Sequence, residues 1–232
     1  MAAKPGGARS KRIQKAGLQP RPGEERRGDP TLSRERIVAS AVELLDAHGV
    51  NGLTMRGLAD AVGSGVMSLY WHVDNKEDVF DLALDSVLEY RGTSEPGEAQ
   101  DWRGAVVQGL EDWRANMLRH PWSISLLPRR ALGPNILYRL ERLSQALSSA
   151  GVAAADLNIA LWTLWNYVMG ATITRASFVR SGGERTAEQP ATQPTGRYPT
   201  IERSGLLREN DWDGTFSRGL DLLLNGLVPP RP

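Results

Sequence analysis

The chain is 232 residues long, 41% apolar and 24% charged, a balance that can fill a real core in one large domain or two small ones. It has no cysteine, which excludes a disulfide framework and any thiolate metal site. No run approaches the ~18 uninterrupted apolar residues of a membrane helix, and the basic opening, Met1 to Arg27, lacks the apolar segment of a signal peptide. A cytoplasmic protein with no membrane contact is the expectation. The net charge of +1 hides an asymmetry: the first thirty residues carry eight basic side chains against three acidic ones, and the remaining 202 are mildly acidic. Such a tail suits a nucleic-acid arm and equally a solubilising leader. Its Pro/Gly-rich composition predicts disorder over 1–30.

Order is expected from Thr31. Ser33 reads as an N-cap, Ile37, Ala41, Leu44 and Leu45 follow at helical spacing, and Gly49 closes a first helix over 33–48. After a turn at Val50–Leu53, Thr54 caps a short helix with Leu58, Ala59 and Val62 on its inner face. Gly63-Ser64-Gly65 breaks it, and Val66 to His72 reads as a third helix. Asn75 caps a fourth, about 76–90, with Val79, Leu82, Ala83, Val87 and Leu88 on one side. Arg91–Gln100 reads as a linker. Helices are then expected over about 101–119, from Pro121 through Trp122, Ile124, Leu126 and Leu127, over about 134–150, and over about 153–180. The stretch 181–198, rich in Gly, Thr, Gln and Pro, reads as a mobile loop. A short helical turn near Thr200–Arg208 and a last helix over about 212–226 complete an all-α chain.

Two short helices joined by a Gly-containing turn are the core of a helix-turn-helix. The first braces, and the second is small enough to enter a major groove about 12 Å wide. Ala59 is small where the two helices approach. At Gly52-Leu53-Thr54-Met55-Arg56-Gly57-Leu58-Ala59 and Ser68-Leu69-Tyr70-Trp71-His72-Val73-Asp74-Asn75-Lys76 the chain resembles the TetR family of transcriptional regulators. The resemblance is strongest over 33–90. Around His120, Leu140-Glu141, Gly170 and Gly219–Leu227 it extends to the tetracycline-repressor type of C-terminal domain.

The resemblance implies a three-helix helix-turn-helix domain at 31–78 and a helical ligand-binding and dimerisation domain at 79–228. It also implies a role for each matching residue. Arg56 would reach a guanine, Ser68 and Tyr70 would touch bases or backbone, and Thr54, His72 and Lys76 would hold phosphates. Val66 and Met67 depart from the family pattern and would suit thymine methyls, so a different operator is expected. Bland readings stand beside these: Leu69 and Trp71 as core, Tyr70 as core or phosphate contact, and His72 as closing the surface.

Catalysis has little to work with. The three histidines, His48, His72 and His120, are far apart in sequence and sit in no nucleophile or metal motif, and no phosphate-cradling Gly loop is visible. An enzyme is therefore not expected. Trp113, Met117, Trp122, Leu126, Trp162, Trp165, Asn166 and Met169 would instead come together from three helices as a small-molecule pocket, or simply fill core. The tetracycline-repressor type of domain implies a magnesium chelate held by a histidine and a glutamate, but Leu127 and Thr174 stand at those positions. Neither suits a hard cation, so no metal and no cofactor is expected, and the effector should be apolar. The two most apolar late helices imply a homodimer, whose two reading helices would span one turn of double-stranded DNA, about 34–36 Å, on a palindromic operator. An effector-independent DNA-binding protein remains the alternative.

Overall fold

The computed structural model describes residues 32–90, 101–180, 196–204 and 211–228. The basic arm at 1–30, the linker at 91–100 and the 181–195 part of the expected loop lie outside them. Among the described residues there are ten α-helices and no strand.

Polar caps written into the sequence set the helix starts. Helix α1 (Arg34–Gly52) begins where Ser33 Oγ accepts from the Arg36 amide at 3.3 Å. Its regular part stops at Gly49, whose φ of +67° is a left-handed value that glycine adopts without a Cβ penalty. Helix α2 (Met55–Val62) starts at Thr54, whose Oγ1 accepts from Gly57 N at 3.0 Å, and ends at Gly63, also left-handed. Helix α3 (Val66–Leu69) is shorter than expected. Beyond it Trp71 N and His72 N donate three residues back, to Ser68 O and Leu69 O, so 70–72 are turn rather than α-helix. Helix α4 (Lys76–Val87) starts at Asn75, which accepts from Asp78 N at 3.0 Å. Ile37, Ala41 and Leu45 of α1, Leu58 and Ala59 of α2, Leu69, Val73 and the α4 residues Val79, Ala83 and Leu84 make one buried cluster.

Helix α5 (Trp102–Arg119) runs into α6 (Trp122–Leu126) and a 3₁₀ turn over Leu127–Arg129. Helix α7 (Pro134–Ser149) matches its expected span. Helix α8 (Leu157–Arg180) starts four residues late, because Ala153–Asp156 close a turn in which Asp156 N and Leu157 N both donate to Ala153 O. Short α9 (Pro199–Ser204) stands where a helical turn is expected, and α10 (Trp212–Leu227) follows. Val106, Leu110, Trp113 and Met117 of α5, Ile136, Leu143 and Leu147 of α7, Leu164 and Val168 of α8, and Phe216, Leu220 and Leu224 of α10 fill the core between them. Gly219 is required on α10: a Cβ there would lie 2.2 Å from the Tyr167 hydroxyl, which donates to Phe216 O at 2.7 Å. Burial raises the Tyr167 pKa.

Helix α4 packs against α1, α6 and α7. Its Asp85 is buried, and the carboxylate accepts from Asn135 N at 3.0 Å and Ile136 N at 3.2 Å, the first free amides of α7. Gly133 at the head of α7 offers no capping side chain, so Asp85 supplies the cap from another helix. Buried Arg139 of α7 reciprocates. It donates to the Leu88 and Glu89 carbonyls at the end of α4 and to Asp112 Oδ2 at 2.6 Å. These bonds satisfy carbonyls left open where α4 ends, at Val87 rather than at the 90 that periodicity suggests. Burial lowers the Arg139 pKa, and Asp112 opposes that shift. No helix of the described residues is long and apolar enough to cross a membrane.

Candidate DNA-reading hook and apolar cavity

Two features outside the core could do chemistry: the α2–α3 hook and a cavity walled by α8 and the α6–α7 connection. In the hook, Leu58, Ala59, Val62 and Leu69 anchor the two helices to α1, and Arg36 donates to Val62 O at 3.0 Å to hold the end of α2. This leaves Thr54, Arg56, Ser68 and Tyr70 exposed and His72 half-buried. The Thr54 oxygen is occupied as an acceptor by Gly57 N, so its hydroxyl proton is free to donate outward. Met67 is 76% exposed, whereas Val66 is half-buried and packs against the core cluster. Lys76, in the first turn of α4, sets its ammonium 5.2 Å from the centre of the Phe80 ring.

Trp71 requires a correction. Read as core, it is 88% exposed. The reason is geometric: α3 ends at Leu69, and Leu69 and Val73 already fill the space beneath the turn. An exposed indole at the tip of the hook is a surface group that the periodicity of the sequence could not reveal.

The cavity has a volume of about 480 Å³ and is lined by Leu127, Pro128, Arg130, Leu132, Leu140, Asn158, Leu161, Trp162 and Trp165. Of the eight expected pocket residues only Trp162 and Trp165 line it. Trp113 lies behind the wall, with its ring edge-on to Trp165 at 5.1 Å and itself buried. Met117, Leu126 and Met169 are core. Asn166 is exposed, one position off the α8 stripe 158–161–162–165 that faces the cavity. Trp122 is committed elsewhere: its Nε1 donates to Asp46 Oδ1 of α1 at 2.7 Å, and His120 Nδ1 lies 2.8 Å from the same oxygen. The two side chains bolt the α5–α6 corner to α1. The helical spacing of Asn158, Leu161, Trp162 and Trp165 was the available signal for the α8 wall of this cavity. The residues 127–132 of the connection carried none.

One lining residue is charged. Arg130 donates from Nε to Asp81 Oδ1 and from its terminal nitrogens to the Glu77 carboxylate and carbonyl, all on α4. The Asp81 hydrogen bond raises the Arg130 pKa further. Leu127 presents hydrocarbon to the cavity, and the Thr174 hydroxyl donates to Gly170 O at 2.8 Å on an exposed face. Among the described residues no three His, Cys, Asp or Glu side chains come together as a metal site. The donor set does not fit a magnesium ion.

A braced two-helix hook with exposed polar and cationic side chains, set on a larger helical body, defines a helix-turn-helix DNA-binding protein. Residues 37–83 match the family model for bacterial regulatory proteins of the tetR family, and 95–229 match that for the tetracyclin repressor-like C-terminal domain. A curated relative, an HTH-type transcriptional regulator of Saccharopolyspora erythraea, is 37% identical, the alignment covering 90% of this chain and 89% of that one. The HTH-type transcriptional repressor DrrR1 of Streptomyces coeruleorubidus is 31% identical over 85% and 78% of the two chains. Among solved structures, the TetR family protein ActR of Streptomyces coelicolor in complex with actinorhodin aligns with a TM-score of 0.72 and 28% identity, over 86% of this chain and 97% of that one. The chain belongs to the TetR family and is a DNA-binding transcriptional regulator.

Proposed function

We propose that the protein is a homodimeric repressor that leaves a palindromic operator when a small, largely apolar effector enters the α6–α8 cavity without a metal. The observation that carries this is the cavity itself: about 480 Å³, walled by leucines and two tryptophans, and formed by the same connection that grips α4. Such a volume suits a drug-sized ligand. The similarity to a named repressor and to a neighbour solved with a small molecule supports the same reading.

In this reading, residues 31–78 read DNA and 79–228 bind ligand and dimerise. Arg56 offers its planar fork to a guanine, and Ser68, Tyr70, Val66 and Met67 meet bases or backbone. Thr54, His72 and Lys76 hold phosphates. The apolar side chains left exposed on α8 and α10, among them Ile159, Ile173 and Leu222, supply the face on which a second copy packs. Effector and operator then prefer different spacings of the two hooks, and their coupling is reciprocal, typically ~1–3 kcal/mol.

The test uses purified full-length protein and duplexes from its own promoter region, followed by gel retardation with and without a library of largely apolar compounds, both neutral and singly charged. One duplex should be retarded at nanomolar protein and released by some compounds. Retardation that no cavity-binding compound alters would favour an effector-independent DNA-binding protein instead.

A further inference from the structure

Arg130 belongs to two structures at once. Its side chain lines the cavity as the only charged group, among the described residues, in otherwise apolar, aromatic and amide walls, and each of its three nitrogens spends one N–H on Asp81 or Glu77. Both partners sit on the first two turns of α4, immediately after the hook. The side chain is largely buried at 15% exposure and hangs from the end of the tight 127–129 turn, behind Pro128, so it cannot swing far. A guanidinium offers five N–H groups in a fixed fork, and a ligand carboxylate or sulfonate takes two of them in parallel.

The geometry points to Arg130 as the residue that selects the effector and carries its message: the effector is an aromatic molecule with one anionic group, and that group competes with Glu77 and Asp81 for the same fork. Anion and α4 are then alternative occupants of Arg130. The ligand gains its differential affinity in the state where α4 is released, which is the requirement for a ligand to shift a conformational equilibrium. Glu77 and Asp81 also guard the site when it is empty, since they satisfy a buried cation that would otherwise lack a partner. A neutral apolar molecule can fill the same volume, but it has nothing to offer the guanidinium and leaves the α4 link in place.

This rests on the cavity being the effector site, so the experiment separates the two claims. The probes are 8-anilinonaphthalene-1-sulfonate and its uncharged analogue N-phenyl-1-naphthylamine, titrated into the full-length protein and followed by their own emission and by quenching of tryptophan. The sulfonate should bind at least about tenfold more tightly than the neutral probe, the difference expected from one charge-assisted contact. Arg130→Gln should erase that preference and leave the neutral probe within about twofold, while Arg130→Lys restores part of it. Glu77→Gln with Asp81→Asn works from the other side, without touching the arginine: it should tighten the sulfonate and weaken operator binding even before any probe is added. Filling the cavity with Leu161→Trp should expel both probes. Equal affinities for the two probes in the wild type, or a double variant that binds the sulfonate more weakly, would overturn the role of Arg130 and leave the cavity reading intact. Failure of the neutral probe to bind, or its indifference to Leu161→Trp, would overturn the cavity reading and this inference with it.

Discussion

Replacing Asp85 by alanine tests whether α4 and α7 are joined as described. The carboxylate accepts from Asn135 N and Ile136 N at 3.0 and 3.2 Å, and Asn135 Nδ2 returns a bond to Asp85 O at 3.2 Å. In Asp85→Ala the backbone bond survives, but the two amides at the head of α7 lose their acceptor. The Ile136 amide is buried, and an unsatisfied buried donor costs about 1–3 kcal/mol. The Asn135 amide is partly buried and loses an N-cap, about 1 kcal/mol. Gly133 has no side chain with which to replace the lost cap. The sum is about 2–4 kcal/mol, or roughly a 4–16 °C fall in midpoint for a chain of this size. Thermal unfolding by circular dichroism at fixed protein concentration reads it. Asp85→Asn should recover most of the loss, since its Oδ1 can still accept from both amides. A midpoint within a degree of wild type would refute the borrowed-cap account.

Four more outcomes follow from the side chains described. Arg56→Ala should relax preference at one base pair by ~1–3 kcal/mol in competition binding, while Lys76→Ala should weaken all duplexes alike and flatten the dependence on salt. Trp71→Ala should leave the unfolding midpoint unchanged, because so exposed an indole stabilises little, yet reduce affinity for duplex DNA in the same competition assay. Gly219→Ala should destabilise, since the Tyr167 hydroxyl blocks the new methyl group, and Tyr167→Phe in the same chain should restore part of the loss. Asp213 accepts from Arg114 at 2.7 Å, and this bond first, with Arg175 adding, lowers the Asp213 pKa. A lowered carboxylate pKa contributes stability above the ordinary carboxylate range, about 4, and the contribution is lost as pH falls through the lowered value. Asp213 is 70% exposed and screened by solvent, so Asp213→Asn should cost only about 1 kcal/mol at neutral pH. The gap from wild type should close in acid.

What could be read in the sequence was what repeats or caps locally. Ser33, Thr54 and Asn75 mark helix starts because a side-chain oxygen answers an amide three residues on, a relation confined to neighbours. Leu69 could be read as core for the same local reason. The cavity could not be read in this way. Its wall combines the α8 stripe with the 127–132 connection, and of the four tryptophans expected there two are engaged elsewhere. Trp122 is held by Asp46, 76 residues away, and Trp113 stands behind Trp165. Trp71 was misread because an aromatic in an apolar run looks buried until the helix is seen to end two residues earlier. Arg130 is invisible to periodicity, since its meaning lies in carboxylates 49 and 53 positions upstream.

The double allegiance of α4 bears on how such regulators could be recombined. A chimera spliced ahead of Val79 keeps the Asp85 clasp native but meets α1 with a foreign partner surface. One spliced after Tyr90 preserves the packing on α1 and asks a foreign α7 to accept a cap it was not shaped for. Among the described residues α4 offers no silent seam, so exchanging specificities between relatives requires moving it together with the residues that grip it from both sides.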